Sequence, residues 1–313
     1  MIVKIDSEFL KGNGKELDDK VFELCKIIEF GHYVDVERSI LGDFLDIIKK
    51  HANNSKFSLV SGAIEKFDKE KSLRFNLTTI RFSDYSERRR KVLLLKESEL
   101  LVENAPNEWS IYKNLVTYYT KEPTIKNVAK YLNRAIKERM LKSENLGGAN
   151  MIPDMLKHKN KEEFDDLYKM KVCVLFDRDK ENGTEIDINK KNVFKALCNG
   201  IDINQVNNDL IYRLDYEDEY VWHMWYKRAI ENYFPREKYE ELGVDMDSFK
   251  DDLPYDYKKF GNNTPKGYKK DMMKSISDDM KYTYFEDTTE HFDINDKRMS
   301  EIQLLLLKIA KIV

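Results

Sequence analysis

Cysteine is nearly absent from this chain: Cys25, Cys173 and Cys198 lie far apart, with no Cys-x-x-Cys pair among them. That excludes a disulfide framework and a cysteine zinc site, and it fits a reducing compartment. Five scattered histidines contain no His-x-x-x-His pair, so a zinc hydrolase is not indicated. Glycine (12) and proline (6) are scarce, as in a helix-rich protein. Long apolar runs are missing too. The opening MIVKIDSEFLKGNG has no apolar stretch of signal-peptide length. The most apolar segment, QLLLLKIAKIV, is too short to span a bilayer and carries lysines. The expectation is a cytoplasmic protein with no membrane partner. Net charge is also small, −3 from 54 basic and 57 acidic residues, so any basic surface must be local.

What is present is length and charge. The 313 residues suffice for one large domain or two ordinary ones, and 35% of them are charged. Residues 16–52 carry apolar positions at threes and fours, predicting two short amphipathic helices. KFSLVSGAI and SLRFNLTTIRFSDYS are rich in β-branched and aromatic residues and read as strands. SERRRK (86–91) is a basic run, read as a solvated linker, with a nucleic-acid contact as the other reading. From residue 97 the rhythm alternates. ESELLVEN predicts a strand, NEWSIYKNLVTYY and TIKNVAKYLNRAIKERM helices, and ENLGGANMIPDMLKH a glycine turn into a helix. KVCVLF is the next strand, KKNVFKALCNG a helix closing on Gly200, and DLIYRLD a further strand. Such alternation predicts an α/β fold, a mainly parallel sheet flanked by helices, with an N-terminal α/β accessory region. The expected divisions are 1–90, 91–240 and a C-terminal helical extension, 241–313.

The chemistry-bearing stretch is VCVLFDRD. A buried apolar run ends in Asp177, and Asp179 follows. Alternate strand residues face one way, so both carboxylates can converge, with Arg178 turned aside, if strand geometry persists. Neighbouring carboxylates repel unless a cation neutralises them, and a hard divalent cation takes oxygen ligands of this kind. The plain reading is that Asp-Arg-Asp opens a polar loop. Glu103, at the end of the earlier strand LLVE, shifts the balance to a metal site, because open α/β sheets hold ligands at strand carboxyl ends. Metal ions held there suit phosphoryl transfer.

LLVEN, NLGGANMI, VCVLFDRD and KRAIENYF, in that order, resemble the TOPRIM domain of the OLD-type nucleases and their single-domain prokaryotic relatives. The match covers roughly 97–235. It implies a compact parallel α/β unit in which Glu103, Asp177 and Asp179 bind Mg²⁺ or Mn²⁺, the Glu also able to handle a proton. Gly147 and Gly148 match a glycine turn between these motifs. HMWYKRAIENYF resembles a later segment of related defence nucleases and adds Arg228 and Glu231. There are departures: Asn104 replaces the usual Gly after the Glu, and Asn107 or Glu108 stands near the place of an expected Asp. No Walker A pattern is present, so the ATPase fused to OLD nucleases is missing from this chain.

Trp222, Trp225, Ile230 and Tyr233 recur at helical spacing, read as core, with base stacking as the other reading. Lys227 and Glu231 can be an i,i+4 ion pair, or Lys227 or Arg228 can contact a scissile phosphate with Glu231 near the metal. His223 is a weak general-acid candidate. The C-terminal DINDKRMSEIQLLLLKIAKIV predicts an Asp- or Asn-capped amphipathic helix.

The function expected is a metal-dependent nuclease, an effector of a prokaryotic antiviral defence system, acting on DNA or RNA and held in check by a separately encoded ATPase. The partner surface is expected on 1–90 or the C-terminal helix, and the sequence leaves a homo-oligomer open. The alternative is a catalytically quiet TOPRIM-like binding module. A primase-like or topoisomerase-like enzyme is disfavoured, since neither a tyrosine nucleophile motif nor a zinc ribbon can be placed.

Overall fold

The structure is a computed structural model. It describes residues 1–70, 77–86, 94–103, 105–159, 165–180, 186–198, 200–216, 219–227, 229–234, 236–241, 281–294 and 296–313. The SERRRK run falls almost wholly outside the described residues, as do 242–280 of the C-terminal region.

The fold is α/β, with parallel sheets flanked by helices. A three-stranded sheet comes first: β1 (Ile2–Ile5), β2 (Tyr33–Val36) and β3 (Thr79–Arg81), in the order β2-β1-β3, all parallel. Three helices accompany it: α1 (Gly14–Phe30), α2 (Leu41–His51) and α3 (Asn54–Lys69). The Asn13–Glu16 capping box starts α1, and Gly31 ends it in the left-handed region at φ 111°. A Cβ at Gly31 would also stand 2.5 Å from Met140 Sδ, so a larger residue there would push the end of that side chain aside as well as strain the backbone.

The second sheet holds β4 (Ser98–Val102), β5 (Leu141–Asn145), β6 (Val172–Phe176) and β7 (Val221–Met224), ordered β5-β4-β6-β7 and wholly parallel. β4 and β6 are central and buried along their whole length, which is why β6 reads as a continuous apolar run and β4 as one from Leu100 on. The connecting helices are α4 (Ala105–Tyr119), α5 (Lys126–Lys137), α6 (Ile152–Lys159), α7 (Lys191–Leu197) and the short α8 (Asn208–Ile211). After α9 (Arg236–Glu241) and α10 (Tyr282–Thr288) come an antiparallel hairpin, β8 (His291–Ile294) with β9 (Lys297–Ser300), and then α11 (Glu301–Ile312). Two apolar clusters follow the two sheets. Ile2, Tyr33, Phe67 and Leu77 of the first region pack into the cluster of the second. Among the described residues, no helix is long and apolar enough to cross a membrane.

Several expectations fail for identifiable reasons. KFSLVSGAI lies in α3: Asn53 accepts the Lys56 N–H as an N-cap, and Phe57, Val60, Ile64 and Phe67 fall on one helical face. Of SLRFNLTTIRFSDYS, only Thr79–Arg81 is strand among the described residues. DLIYRLD begins with α8, capped by Asn207, and the fourth strand is VWHM instead. Trp222, Trp225, Ile230 and Tyr233 are buried as core, but from a strand, a bend and a 3₁₀ turn rather than one helix. The strands β1, β2 and β5 and the β8–β9 hairpin have no counterpart in the sequence reading. The last helix is capped by Ser300, and it is buried nearly all round rather than amphipathic. It packs against α5, β6 and β7, so it offers little surface to a separate partner.

Burial of lysines gives the core a pH signature. Lys171, donating to Ser98 Oγ at 3.3 Å, and Lys308 are both pushed down to about 7 by burial. Below pH 7 they are protonated in the folded and unfolded chain alike. Between 7 and 10.5 the unfolded chain binds protons that the folded one does not, so stability climbs with pH there. Burial holds Cys173 and Cys198 up at about 12 against an ordinary 9, so their ionisation in the unfolded chain offsets the two lysines above pH 9 and the rise levels off. The unfolding free energy from urea titrations should therefore rise from pH 7 to pH 9 by on the order of 4 kcal/mol and then level off. A flat or falling profile between 7 and 9 would show that the lysines stay solvated.

Candidate functional site

The carboxyl ends of β4 and β6 are neighbours, because these strands pair directly, Leu101 against Val174. Glu103 follows β4 and Asp177 follows β6. The Asp177 backbone N–H donates to Glu103 Oε1 at 3.0 Å, so the Glu side chain reaches across the gap between the strands. Strand geometry stops there. Asp179 takes a left-handed φ of 63°, so alternation does not carry it to the same face as Asp177. Asp179 is reached by a turn, and it is 53% exposed at its side chain.

Arg178, expected to point away unused, is buried and structural. Its Nε donates to the Trp225 carbonyl at 3.1 Å and one terminal nitrogen donates to Tyr212 Oη at 2.9 Å. It ties the end of β6 to the end of β7 and so fixes the backbone between the two aspartates. Tyr112 of α4 stacks on Trp225, its ring 6.3 Å away, and its hydroxyl donates to Glu108 at 3.5 Å. Burial, then the charges of Glu108 and Asp177, hold the Tyr112 phenol well above its ordinary range. Glu108 is thus a buried acceptor for the Tyr112 hydroxyl. Asn104 and the side chain of Asn107 lie outside the described residues.

The cation of this site is a lysine. Lys190 Nζ lies 2.7 Å from Asp179 Oδ2 and 3.6 Å from Glu103 Oε1, and the residue is buried. Comparison of the chain with protein-family models, with curated proteins and with solved structures finds no match in any of the three. The site therefore has to be weighed on its own geometry. Three carboxylates are the right donor chemistry for Mg²⁺ or Mn²⁺. Their arrangement is not: among the described residues, no three acidic, histidine or cysteine side chains stand where they could hold one ion. As arranged, the residues do not fit the metal that the resemblance implies, and an ammonium occupies the position between Glu103 and Asp179.

The later motif separates from this group. Lys227 is buried, and its Nζ donates to the Asn232 carbonyl at 3.0 Å, while its backbone N–H donates to Tyr233 Oη at 3.1 Å. It braces the 3₁₀ turn Ile230–Tyr233. The α-helical turn that would set Lys227 over Glu231 is not formed. Arg228 and the Glu231 side chain lie outside the described residues. Gly147 and Gly148 form the expected turn, at φ 72° and 128°, between β5 and the 3₁₀ turn Ala149–Met151 that leads into α6.

His223 is not exposed chemistry either. Its Nε2 donates to Glu301 Oε1 at 2.9 Å, and its Nδ1 faces Lys308 Nζ at 3.3 Å, which sets the neutral tautomer. Burial, then the Lys308 charge, pushes its pKa down to about 4. A cleft of about 1240 Å³ lies between α5, the 208–215 segment and the β8–β9 hairpin. Neither Glu103, Asp177, Asp179 nor Lys227 is among its walls. The sequence reading missed Lys190. It is one of two adjacent lysines after Asp187, and nothing in that doublet marks one as buried.

Proposed function

We propose that the protein is a metal-dependent nuclease of the TOPRIM type, acting in the cytoplasm as an effector of antiviral defence with a separately encoded ATPase. One observation carries the reading. Glu103 and Asp177 stand at the carboxyl ends of neighbouring parallel strands, bonded to each other across the gap, with Asp179 two residues on. That is where the order of motifs puts them, and where open α/β sheets hold their ligands. The reading requires the carboxylates to be released from Lys190. Partner contact falls to residues 1–90, since α11 is buried.

A second reading is favoured by Lys190 itself: a quiet TOPRIM-like binding module whose carboxylates are permanently neutralised. Incubation with plasmid, single-stranded DNA and tRNA, in Mg²⁺, Mn²⁺ or EDTA, separates the two. Cleavage of at least one substrate with Mg²⁺ or Mn²⁺, lost in EDTA, is the expected result. Intact substrates throughout, with and without co-expressed genomic neighbours, would leave the binding module as the better account.

A further inference from the structure

We infer that the outward face of helices α4 and α5 is a docking surface for a nucleic-acid backbone, which it holds by charge and not by base sequence. None of its side chains belongs to the strand-end group, so binding there requires no cleavage. The whole chain has a net charge of only −3, yet the charges are unevenly placed. Residues 105–137 hold six basic side chains, Lys113, Lys121, Lys126, Lys130, Arg134 and Lys137, and two acidic ones, Glu108 and Glu122. Both acids are turned inward. Tyr112 donates to Glu108, and the Ile125 N–H donates to Glu122 at 2.7 Å. The five lysines are exposed. The two helices pack against each other, so the pair shows solvent one sign of charge. Helical geometry draws part of it into a stripe. Lys126, Lys130, Asn133 and Lys137 fall on one side of α5, and the buried Val128, Leu132 and Ala135 on the other. From Lys126 to Lys137 the stripe runs about 16 Å. The exposed Arg139 extends it past the helix end.

These charges are not used up within the fold. Among the described residues, no carboxylate pairs with the five lysines or with Arg139, while Arg134 takes Glu138 at 3.6 Å. Like charges left side by side repel, and a polyanion laid along them removes the repulsion. Arg139 adds a sign of its own. It sits just past the helix in the left-handed region, φ 59°, where glycine or asparagine is the unstrained choice. The composition of the face decides the kind of partner. Specific protein interfaces are built on an apolar centre and are depleted of lysine. The exposed large apolar side chains, Phe22, Leu95, Met151 and Ile188, all lie off α4 and α5. A phosphodiester backbone instead offers single negative charges in a line, and lysine meets each as a point charge that carries no sequence information.

Fluorescence anisotropy of the full chain tests this, with a labelled DNA duplex, its single strand and the matching RNA strand as probes. All titrations contain EDTA, so that nothing is cut, and cover a series of salt concentrations. On the tightest probe, Lys126→Gln/Lys130→Gln/Lys137→Gln should bind at least ~10-fold more weakly than wild type, with a salt slope lower by about 2–3. Lys49→Gln/Lys50→Gln/Lys69→Gln removes as many exposed charges from α2 and α3 and should change affinity by no more than ~2-fold. Unchanged affinity in the first variant, or an equal loss in the second, overturns the inference. So does wild type that binds none of the probes at low salt, or that prefers phosphatidylserine vesicles to all of them. Should the first variant fail to fold, Arg139→Gly decides, since it removes a charge and relieves the left-handed backbone. Weaker binding without a lower melting temperature supports the surface, and unchanged binding overturns it. A chain that binds as expected yet cuts nothing with Mg²⁺ or Mn²⁺ sinks the nuclease reading and leaves this surface standing.

Discussion

Glu301→Ala should cost about 3–5 kcal/mol of folding stability, a large share of the roughly 5–15 kcal/mol that a typical domain has. Glu301 has no exposed surface, yet its carboxylate takes three donors: His223 Nε2 at 2.9 Å, the Tyr226 backbone N–H at 2.7 Å, and the Tyr233 hydroxyl. Lys308, equally buried on the same helix, donates to the Ile211 and Trp222 carbonyls at 2.6 and 3.1 Å and faces His223. The network runs from α11 through β7 to the loop after it. Deleting the carboxylate strands three donors away from water and removes the negative charge nearest His223 and Lys308, and each unsatisfied buried group costs about 1–3 kcal/mol. Glu301→Gln can still accept but carries no charge, so it should lose about half as much. Urea unfolding of the two variants checks the order. An Ala midpoint within about 1 kcal/mol of wild type would mean that water reaches the site and the network is not closed.

This network also explains what could be read from the sequence and what could not. β4 and β6 are central strands buried on both faces, so apolar runs announced them, five residues in β6 and residues 100–102 in β4. Their ends carried the acidic residues into view. The edge strands left no such trace. β5 reads LKSEN, polar after its first residue, because only Leu141 is fully covered. β7 is four residues long and sits among aromatics whose threes-and-fours spacing mimics a helix. α11 misled in the other direction. Its Glu301, Gln303 and Lys308 looked like a solvent face, but they are buried and satisfied by partners distant in sequence. Lys190 is the same case at the site: a charged residue whose burial is decided by long-range packing, which local pattern does not encode.

The last expectation separates the two strand-end carboxylates. Under the nuclease reading, Asp177→Ala and Glu103→Ala should each lower cleavage at least ~100-fold, the scale on which a single positioned group acts in a transition state. Their effects on folding should differ. Asp177 is half-buried at a strand tip, and its loss should shift stability by no more than about 1 kcal/mol. Glu103 does more. It accepts the Asp177 N–H at 3.0 Å and faces the buried Lys190 ammonium at 3.6 Å. Removing it frees a backbone donor and leaves Lys190 to Asp179, so about 1–2 kcal/mol should be lost. Asp179→Asn supplies the control, since it removes the charge at 2.7 Å from Lys190 while leaving Glu103 in place. Cleavage assays paired with thermal unfolding of all three variants read both quantities. Activity near wild type in Asp177→Ala, with an unchanged melting temperature, would remove Asp177 from the chemistry and, with it, the reason for assigning this strand-end group to phosphodiester cleavage.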